Sequence, residues 1–570
     1  MLTVTGGCTC TLTGQTPSDL ERGGIDRYRP RTIPERSLED SSRFERLVRA
    51  GALYLSLSDA IALAIENNLD VDYQRLTPLI AEADLLRARS GSIARGIPSG
   101  VREGPGGLGS GGGSITAAQG TLPQLEQSSG FTSNPSIPAA GVQTSATGPG
   151  VPLLDPAITG SLLYSRLNRP QTNTFITGTN ALTTRSNQGA LGLQKGFLFG
   201  GTASVGFDSN RQDVNNLRAD VNPSNSSGIS ANFSQPLLRG FGRAVNDRYI
   251  RIAKNNRKVS DLVFEQQVIS TAYAVARLYW DLVSLNGERR VQQQSLDLAE
   301  RLLRENVQQE IAGTLAPIEV VRARAAVATS RRDVTVAETA LRQQETILKD
   351  YLTRRTVDTG DLATLRIVPT ESIPVPAQEP VAPLQDLVAE ARRNRPDLAQ
   401  ADYQVANQKI TLTGSRSGLL PELDLVLSGR SNALYGSLNT LPPTTTTGGT
   451  TGTPVTRTAD PVFLRGPSAG FSQIFSGRFP DYTIGVQLNI PLLNRAAQAD
   501  YARDQLALRQ VEIRRQQAEK QVRVDIINAQ IAAEQSRAAY DAAREAREFR
   551  SNRLRRSDRN MLLALPQTTS

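Results

Sequence analysis

The run Ile229-Ser230-Ala231-Asn232-Phe233-Ser234-Gln235-Pro236-Leu237-Leu238-Arg239-Gly240, followed by the proline-free stretch from Ala244 to Ile311, decides how this chain folds. Ile229, Ala231 and Phe233 alternate with Ser230, Asn232 and Ser234, a period of two that predicts a β-strand. Pro236 ends the ladder because it has no N–H to donate, and Gly240 frees the backbone to turn. Between Ala244 and Ile311 the only glycine is Gly287, and a helix of that length runs roughly 100 Å. Val268, Ala272, Val275, Tyr279 and Leu282 recur in steps of four, three, four and three, the narrow seam of a coiled coil. A strand therefore feeds directly into a rod that must bury one stripe against other rods, with Arg, Lys, Glu, Gln and Asn wetting the rest.

Composition narrows the function classes. Of 570 residues 39% are hydrophobic, enough for several cores, yet only 5% are aromatic, as in helical rods rich in Ala, Arg, Gln, Glu and Leu. The chain has no histidine, which removes the usual general base, the Ser-His-Asp and Cys-His nucleophile systems and every histidine metal site. Cys8 and Cys10 are the only cysteines, too few and too near the terminus to staple a fold or hold a metal alone. No carboxylate or lysine constellation points to turnover, so no catalytic residue, metal or cofactor is expected. The net charge of +9 comes from basic residues interleaved with acids, which predicts solvated helix faces and no nucleic-acid patch. No stretch approaches the ~20 continuous apolar residues of a membrane-spanning helix. Met1 to Thr13 lacks a basic n-region and is not expected to be a secretory signal, with Cys8 a bystander.

The chain divides into two similar halves. Residues 1–50 are polar and proline-punctuated and are expected to be poorly ordered. The first repeat spans 51–367 and opens on a helix capped at Ser58 or Asp59, broken at Asn67-Asn68-Leu69-Asp70, then resumed through Pro78. Residues 91–156 form a Gly-rich insertion; no strand precedes its Gly111-Gly112-Gly113 run and no Lys-Ser or Lys-Thr pair follows, which argues against a phosphate loop. Strand-like segments follow at Ile158 to Arg166, Ala190 to Gln194, Thr202 to Phe207 and Ile229 to Phe233. After the rod, Gly313-Thr314-Leu315-Ala316-Pro317 interrupts the helix, and a second helix from Ile318 to about Tyr351 folds back as an antiparallel hairpin.

A Pro-rich linker, 368–383, leads to a second repeat over 384–570. Leu384, Asp386, Asn394 and Asp397 match Leu57, Asp59, Asn67 and Asp70 at an offset of 327, and Pro491-Leu492-Leu493 matches Pro236-Leu237-Leu238 at 255. Tyr482, Ile484, Val486, Leu488 and Ile490 alternate with Thr483, Gly485, Gln487 and Asn489, the clearest strand in the chain, with Glu422 to Ser428 as its expected partner. Leu441 to Arg478, rich in Thr, Pro and Gly, is expected to be an exposed loop. From Ala496 onward a rod is again expected.

These features together resemble the TolC-type outer-membrane efflux protein family. The resemblance rests on Leu55-Ser56-Leu57-Ser58-Asp59-Ala60-Ile61 with its partial repeat from Leu384, on the joints at Pro236, Leu237, Leu238 and Pro491, Leu492, Leu493, and on the hairpin tip from Gly313 to Ala323. It covers roughly Leu55 to Phe549. It implies an α+β membrane protein with internal duplication, whose long coiled-coil helices form a periplasmic α-barrel. It also implies four strands per chain in a trimeric transmembrane β-barrel. The implied function is passive conduction of small molecules or proteins through the outer membrane, as a homotrimer embedded in outer-membrane lipid. The implied partners are a periplasmic adaptor and an inner-membrane pump, the adaptor docking at the tip around Gly313, Thr314, Leu315 and Glu319. Physical chemistry agrees on one point: four strands cannot close a barrel alone, and an open edge cannot sit in lipid. A second tip is expected at position 568, two residues before Ser570, so the final returning helix is expected to be missing, as in a truncated or frame-shifted gene product. The rival reading from the residues is a soluble two-repeat coiled-coil scaffold that binds nucleic acid through its arginines.

Overall fold

The computed structural model describes residues 39–49, 51–96, 100–101, 148–355, 364–373, 383–441 and 457–563. Cys8, Cys10, most of the Gly-rich insertion and position 568 lie outside them. The described chain begins with α1 (Ser42–Leu47), β1 (Val48–Arg49), β2 (Ala52–Leu55), α2 (Leu57–Asn67) and α3 (Leu69–Arg89). Four strands follow, β3 (Ala157–Pro170), β4 (Ala181–Gly196), β5 (Thr202–Val214) and β6 (Val221–Pro236), with the short α4 (Thr174–Thr177) between β3 and β4. The rods come next: α5 (Arg243–Asn246), α6 (Arg248–Ile311) and α7 (Pro317–Leu352), then β7 (Arg366–Pro369). The second repeat comprises α8 (Leu384–Asn394), α9 (Pro396–Gly418), β8 (Glu422–Leu438), α10 (Pro467–Phe475), β9 (Pro480–Asn489) and α11 (Arg495–Leu563).

Local chemistry sets the helix starts. The cap of α2 is Ser56 and not the expected Ser58 or Asp59: its hydroxyl oxygen accepts the Asp59 N–H at 3.1 Å while Asp59 accepts the Ser56 hydroxyl at 2.7 Å. Asn68 ends α2 and caps α3, accepting the N–H groups of Asp70 and Val71. In α6, Val275, Tyr279 and Leu282 of the expected seam are fully buried, but Val268 and Ala272 lie at its flank. The buried stripe instead passes through Val263, Gln267, Thr271 and Ala274. The reason is that α6 packs against α3 and α9 near the sheet and against α2 and α7 further along, so its buried surface is wider than a two-helix seam.

Two expectations about order fail at one place. Phe44, Leu53 and Leu55, from the end of the supposedly disordered N-terminal segment onward, enter the central core with Val275, Leu278, Tyr279, Leu282, Leu348, Leu352 and Ile367. Val368 and Pro369, expected in the linker, belong to β7, which pairs in parallel with β2 from Ala52↔Arg366 to Leu55↔Pro369. Strands this short are held by burial between α2, α6 and α7, a long-range effect that no local pattern reports. The Tyr279 hydroxyl donates to the Leu55 carbonyl at 3.1 Å and ties this sheet to the rod.

The second sheet has six strands in the order β3-β4-β5-β6-β8-β9, every pair antiparallel; they fall on the six segments that read as strand-like in the sequence, whereas the resemblance implied four. By position, β5 and β6 answer to β8 and β9, each pair ending at a Pro-Leu-Leu joint. The β3–β4 hairpin is therefore extra. It belongs to the residues by which the repeat offset falls from 327 to 255. The second repeat also departs from expectation between its strands, where Pro467–Phe475 of the presumed loop forms α10 against β8. Gln473 holds it there, accepting the Leu434 N–H and donating to the Leu434 carbonyl.

Candidate functional site: a two-faced sheet, its joints and the hairpin tip

Residues directly opposite each other in an antiparallel ladder face the same way, so the register fixes both faces of the six-stranded sheet. One face carries Leu162 and Tyr164 on β3, Leu191 and Leu193 on β4, Val205 and Phe207 on β5, and Ile229 and Phe233 on β6. It continues through Leu423, Leu425 and Leu427 on β8 to Tyr482, Ile484, Val486 and Leu488 on β9. Most of these side chains stand exposed, Leu162 at 91% and Tyr482 at 82%, an apolar surface far larger than a water-facing sheet tolerates. On β9 the series from Tyr482 to Ile490 covers ~26 Å along the strand, a rise of about 20 Å at a tilt of about 40°, most of the apolar band of a transmembrane barrel.

The opposite face is polar. Ser204, Asn232, Ser428 and Thr483 line one row, and Asp424 with Gln487 another. Across it runs a hydrogen-bonded chain: Arg430 pairs with Asp208 at 2.6 Å and donates to Asn432 at 2.7 Å, and Asn432 donates to Asp481 at 2.5 Å. The guanidinium lies over Gly228, where a Cβ would stand 2.9 Å from it. Sequence reasoning missed this chain because its members are far apart and meet only through the register.

The first joint is braced. Leu237 N–H donates to the Leu423 carbonyl at 2.7 Å, and Gly240, at φ +79°, turns the backbone. Buried Asn246 donates to the carbonyls of Gly240 and Gly242. Fully buried Arg248 donates to Val245 and Pro149, both at 2.6 Å, and stacks on Tyr249. Neither Asn246 nor Arg248 was singled out from the sequence, because their partners Gly240, Gly242 and Pro149 are brought to them only by the turn of the joint. Pro236 closes the ladder opposite Asp424, and Leu238 is half exposed like Leu237. The second joint is barer: Pro491 is exposed, Leu492 is 97% exposed and Leu493 is exposed. Here Asn494 takes the positive φ, and its side chain donates to the Leu419 carbonyl.

At the tip of the α6–α7 hairpin Gly313 adopts φ +70° with open space around it. The Thr314 N–H and hydroxyl both donate to the Gln309 carbonyl, at 2.9 and 3.0 Å, which closes the end of α6. Pro317 starts α7, where a missing N–H costs nothing. Glu319 pairs with Arg322 at 2.6 Å, and Leu315 is half-buried between exposed Ile311 and Ile318. The structure thus places the tip residues together at the α6–α7 reversal and the two joints at the same end of the sheet, on either side of β8.

Arginines on the rods face acids: Arg395 pairs with Asp397 at 2.8 Å and Asp525 at 3.3 Å, Arg392 with Glu519 at 2.9 Å, and Arg515 with Asp402. Those contacts stitch α8 and α9 to α11.

A sequence model described as outer membrane efflux protein matches residues 199–354 and 387–556, more than half of the chain and one segment in each repeat. The pyoverdine export outer membrane protein OpmQ of Pseudomonas aeruginosa is 25% identical over 298 residues, covering 50% of this chain. The chain spans 57% of that relative's length. Among solved structures, the Campylobacter jejuni CmeC outer membrane channel aligns over 86% of this chain and 76% of its own at 13% identity, with a TM-score of 0.45. The open-state MtrE outer membrane channel of Neisseria gonorrhoeae aligns over 90% and 81% at 14% identity, with a TM-score of 0.39. With its family match lying across both strand-to-rod joints, the chain belongs to the outer membrane efflux protein family.

Proposed function

We propose that this chain is one subunit of a trimeric outer-membrane export channel, a passive duct that performs no chemistry. The observation that carries the reading is the six-stranded sheet: one face apolar and largely exposed, with Phe471 of α10 stacked on Phe207 over its middle strands, the other face polar, and β3 and β9 each left with an edge unpaired among the described residues. In hydrocarbon an unpaired edge leaves backbone groups unsatisfied at several kcal/mol each, so such a sheet must close with copies of itself. With six strands per chain, three copies contribute eighteen, a number at which a barrel leaves an aqueous lumen. The rods support the same assembly. Their row runs α3, α6, α9, α11, and its outer members carry exposed apolar stripes: Leu69, Tyr73, Leu76 and Ile80 on α3, and Leu506, Ile513, Val524 and Ile531 on α11. Packing α3 of each copy on α11 of the next covers both stripes around the ring.

In this assembly the rods extend into the periplasm. The tip around Gly313, Thr314, Leu315 and Glu319 faces a periplasmic adaptor, which links the duct to an inner-membrane pump. Exposed Leu492 and Leu493 anchor the joints at the lower edge of the lipid. The test is cross-linking of the chain, carried by a working export signal, with separation of inner and outer membranes. A trimer in the outer membrane that conducts ions in a planar bilayer is expected. Soluble monomers or dimers would overturn the channel reading.

A further inference from the structure

The outward face of the sheet ends in arginines on three adjacent strands. Going away from the rods, β3 presents Leu162, Tyr164 and then Arg166. On β4 the order is Lys195, Leu193, Leu191, Gly189, Asn187 and Arg185, and on β5 it is Val205, Phe207, Ser209, Arg211 and Asp213. Arg166 is the direct cross-strand partner of Arg185, and Arg211 stands one row below, opposite Asn187. All three arginines are exposed, and none makes an ion pair among the described residues, although Asp213 is the partner of Arg185 on its other side. Like charges directly opposite each other destabilise a ladder, and an anion bridging them reverses that sign.

Their height supplies the anion. Between Lys195 and Arg185 the outward face of β4 carries no charge. Ten residues at ~3.3 Å, on a strand tilted about 40°, rise roughly 25 Å, the thickness of the apolar band of a transmembrane barrel. If Lys195 marks the lipid edge beside the rods, the three arginines stand at the headgroups of the opposite leaflet.

We propose that Arg166, Arg185 and Arg211 bind the phosphorylated headgroup of an anionic lipid in the leaflet that faces away from the rods. The inference rests on the reading of this face as lipid-exposed. The guanidinium forks of Arg166 and Arg185 approach a phosphate from two strands and bind it by paired N–H donation, which lysine could not reproduce. With Asp213 counted, the cluster remains net positive. Tyr164, beside Arg166 on the same face, places an amphipathic ring at the boundary.

The experiment uses the detergent-solubilised full chain and three probes: diphosphorylated lipid A, its dephosphorylated form and inorganic phosphate. At about fivefold in affinity per basic residue at a lipid surface, the R166Q/R185Q/R211Q variant is expected to bind the phosphorylated lipid roughly a hundredfold more weakly. R169Q, on the same strand and the opposite face, should bind like the unaltered chain, as should the oligomeric state of both variants. Unchanged binding in the triple variant, or equal binding of the dephosphorylated lipid, overturns the proposal; displacement of the lipid by equimolar inorganic phosphate overturns it in favour of a free-anion site. Brominated acyl chains should quench Tyr482→Trp fluorescence whatever the arginines do. Quenching with unchanged lipid binding in the triple variant sinks this inference alone, whereas no quenching sinks the lipid-facing reading with it.

Discussion

Val486 and Gln487 are neighbours on β9 that face opposite ways, Val486 beside Leu425 on the apolar face and Gln487 beside Asp424 on the polar one. Arginine at either position perturbs the strand backbone alike, so the difference between the two variants isolates the environment of each face. Val486 is 63% exposed in the single chain and lies midway between Tyr482 and Ile490. Four residues at ~3.3 Å, tilted about 40°, put it roughly 10 Å inside either edge of the band. An arginine at the middle of a barrel's lipid face costs ~2–4 kcal/mol. At ~1.4 kcal/mol per tenfold, Val486→Arg should lower the folded-to-unfolded ratio roughly 30- to 700-fold per chain. Gln487→Arg, in water and beside Asp424, should stay within about 0.5 kcal/mol of the unaltered protein. Urea unfolding from phosphatidylcholine vesicles, followed by protease protection, reads both. Equal shifts for the two variants, or a larger one for Gln487→Arg, would refute the assignment of the faces.

Two further predictions concern the rods. Asn407 on α9 donates to Asn256 and accepts from Asn255, both at 2.8 Å, and Asn407 and Asn256 are buried. Asn407→Ala should cost ~1–3 kcal/mol by leaving amide groups unsatisfied, and a double-mutant cycle with Asn256→Ala should show a coupling of at least ~0.5 kcal/mol; additive losses would mean that the pair does not pin the α6–α9 register. Glu345, in the central core, accepts the Ile367 N–H, and burial raises its carboxyl above the ordinary range, with that hydrogen bond and Lys349 acting the other way. Its contribution to stability is therefore fully present below the ordinary carboxylate pKa of about 4.3 and is lost as pH rises through the raised value. Helical unfolding followed by circular dichroism across that window should lose stability in the unaltered chain and less of it in Glu345→Gln; parallel profiles would contradict this account.

Much of this architecture was legible in the chain because its rules are local. A period of two, a proline that cannot donate and a glycine that can turn announce the strand-to-rod joints at Pro236 and Pro491. Uninterrupted helix formers announce α6, and Gly313 with Pro317 announces its reversal. The Pro-Leu-Leu signal recurs at both joints, at Pro236 and Pro491.

What the sequence could not report depends on partners far away along the chain. Phe44 and Ile367 join one core only because β2 and β7 meet between α2, α6 and α7. Ile158 to Arg166 and Ala190 to Gln194 read as strands locally, but their joining one sheet of six, beyond the four implied by resemblance, depends on β4 finding β5 through thirteen pairs from Gly196↔Thr202 to Thr184↔Val214. Arg430 reaches Asp208 only across β6, over a glycine that leaves room for it. The sequence by itself determined the long rods and the strands of the six-stranded sheet, since periodicity and backbone restriction act within a few residues. Tertiary structure alone decided which side chains share the apolar face and which charges meet each other, because register converts a local alternation into two surfaces of opposite chemistry.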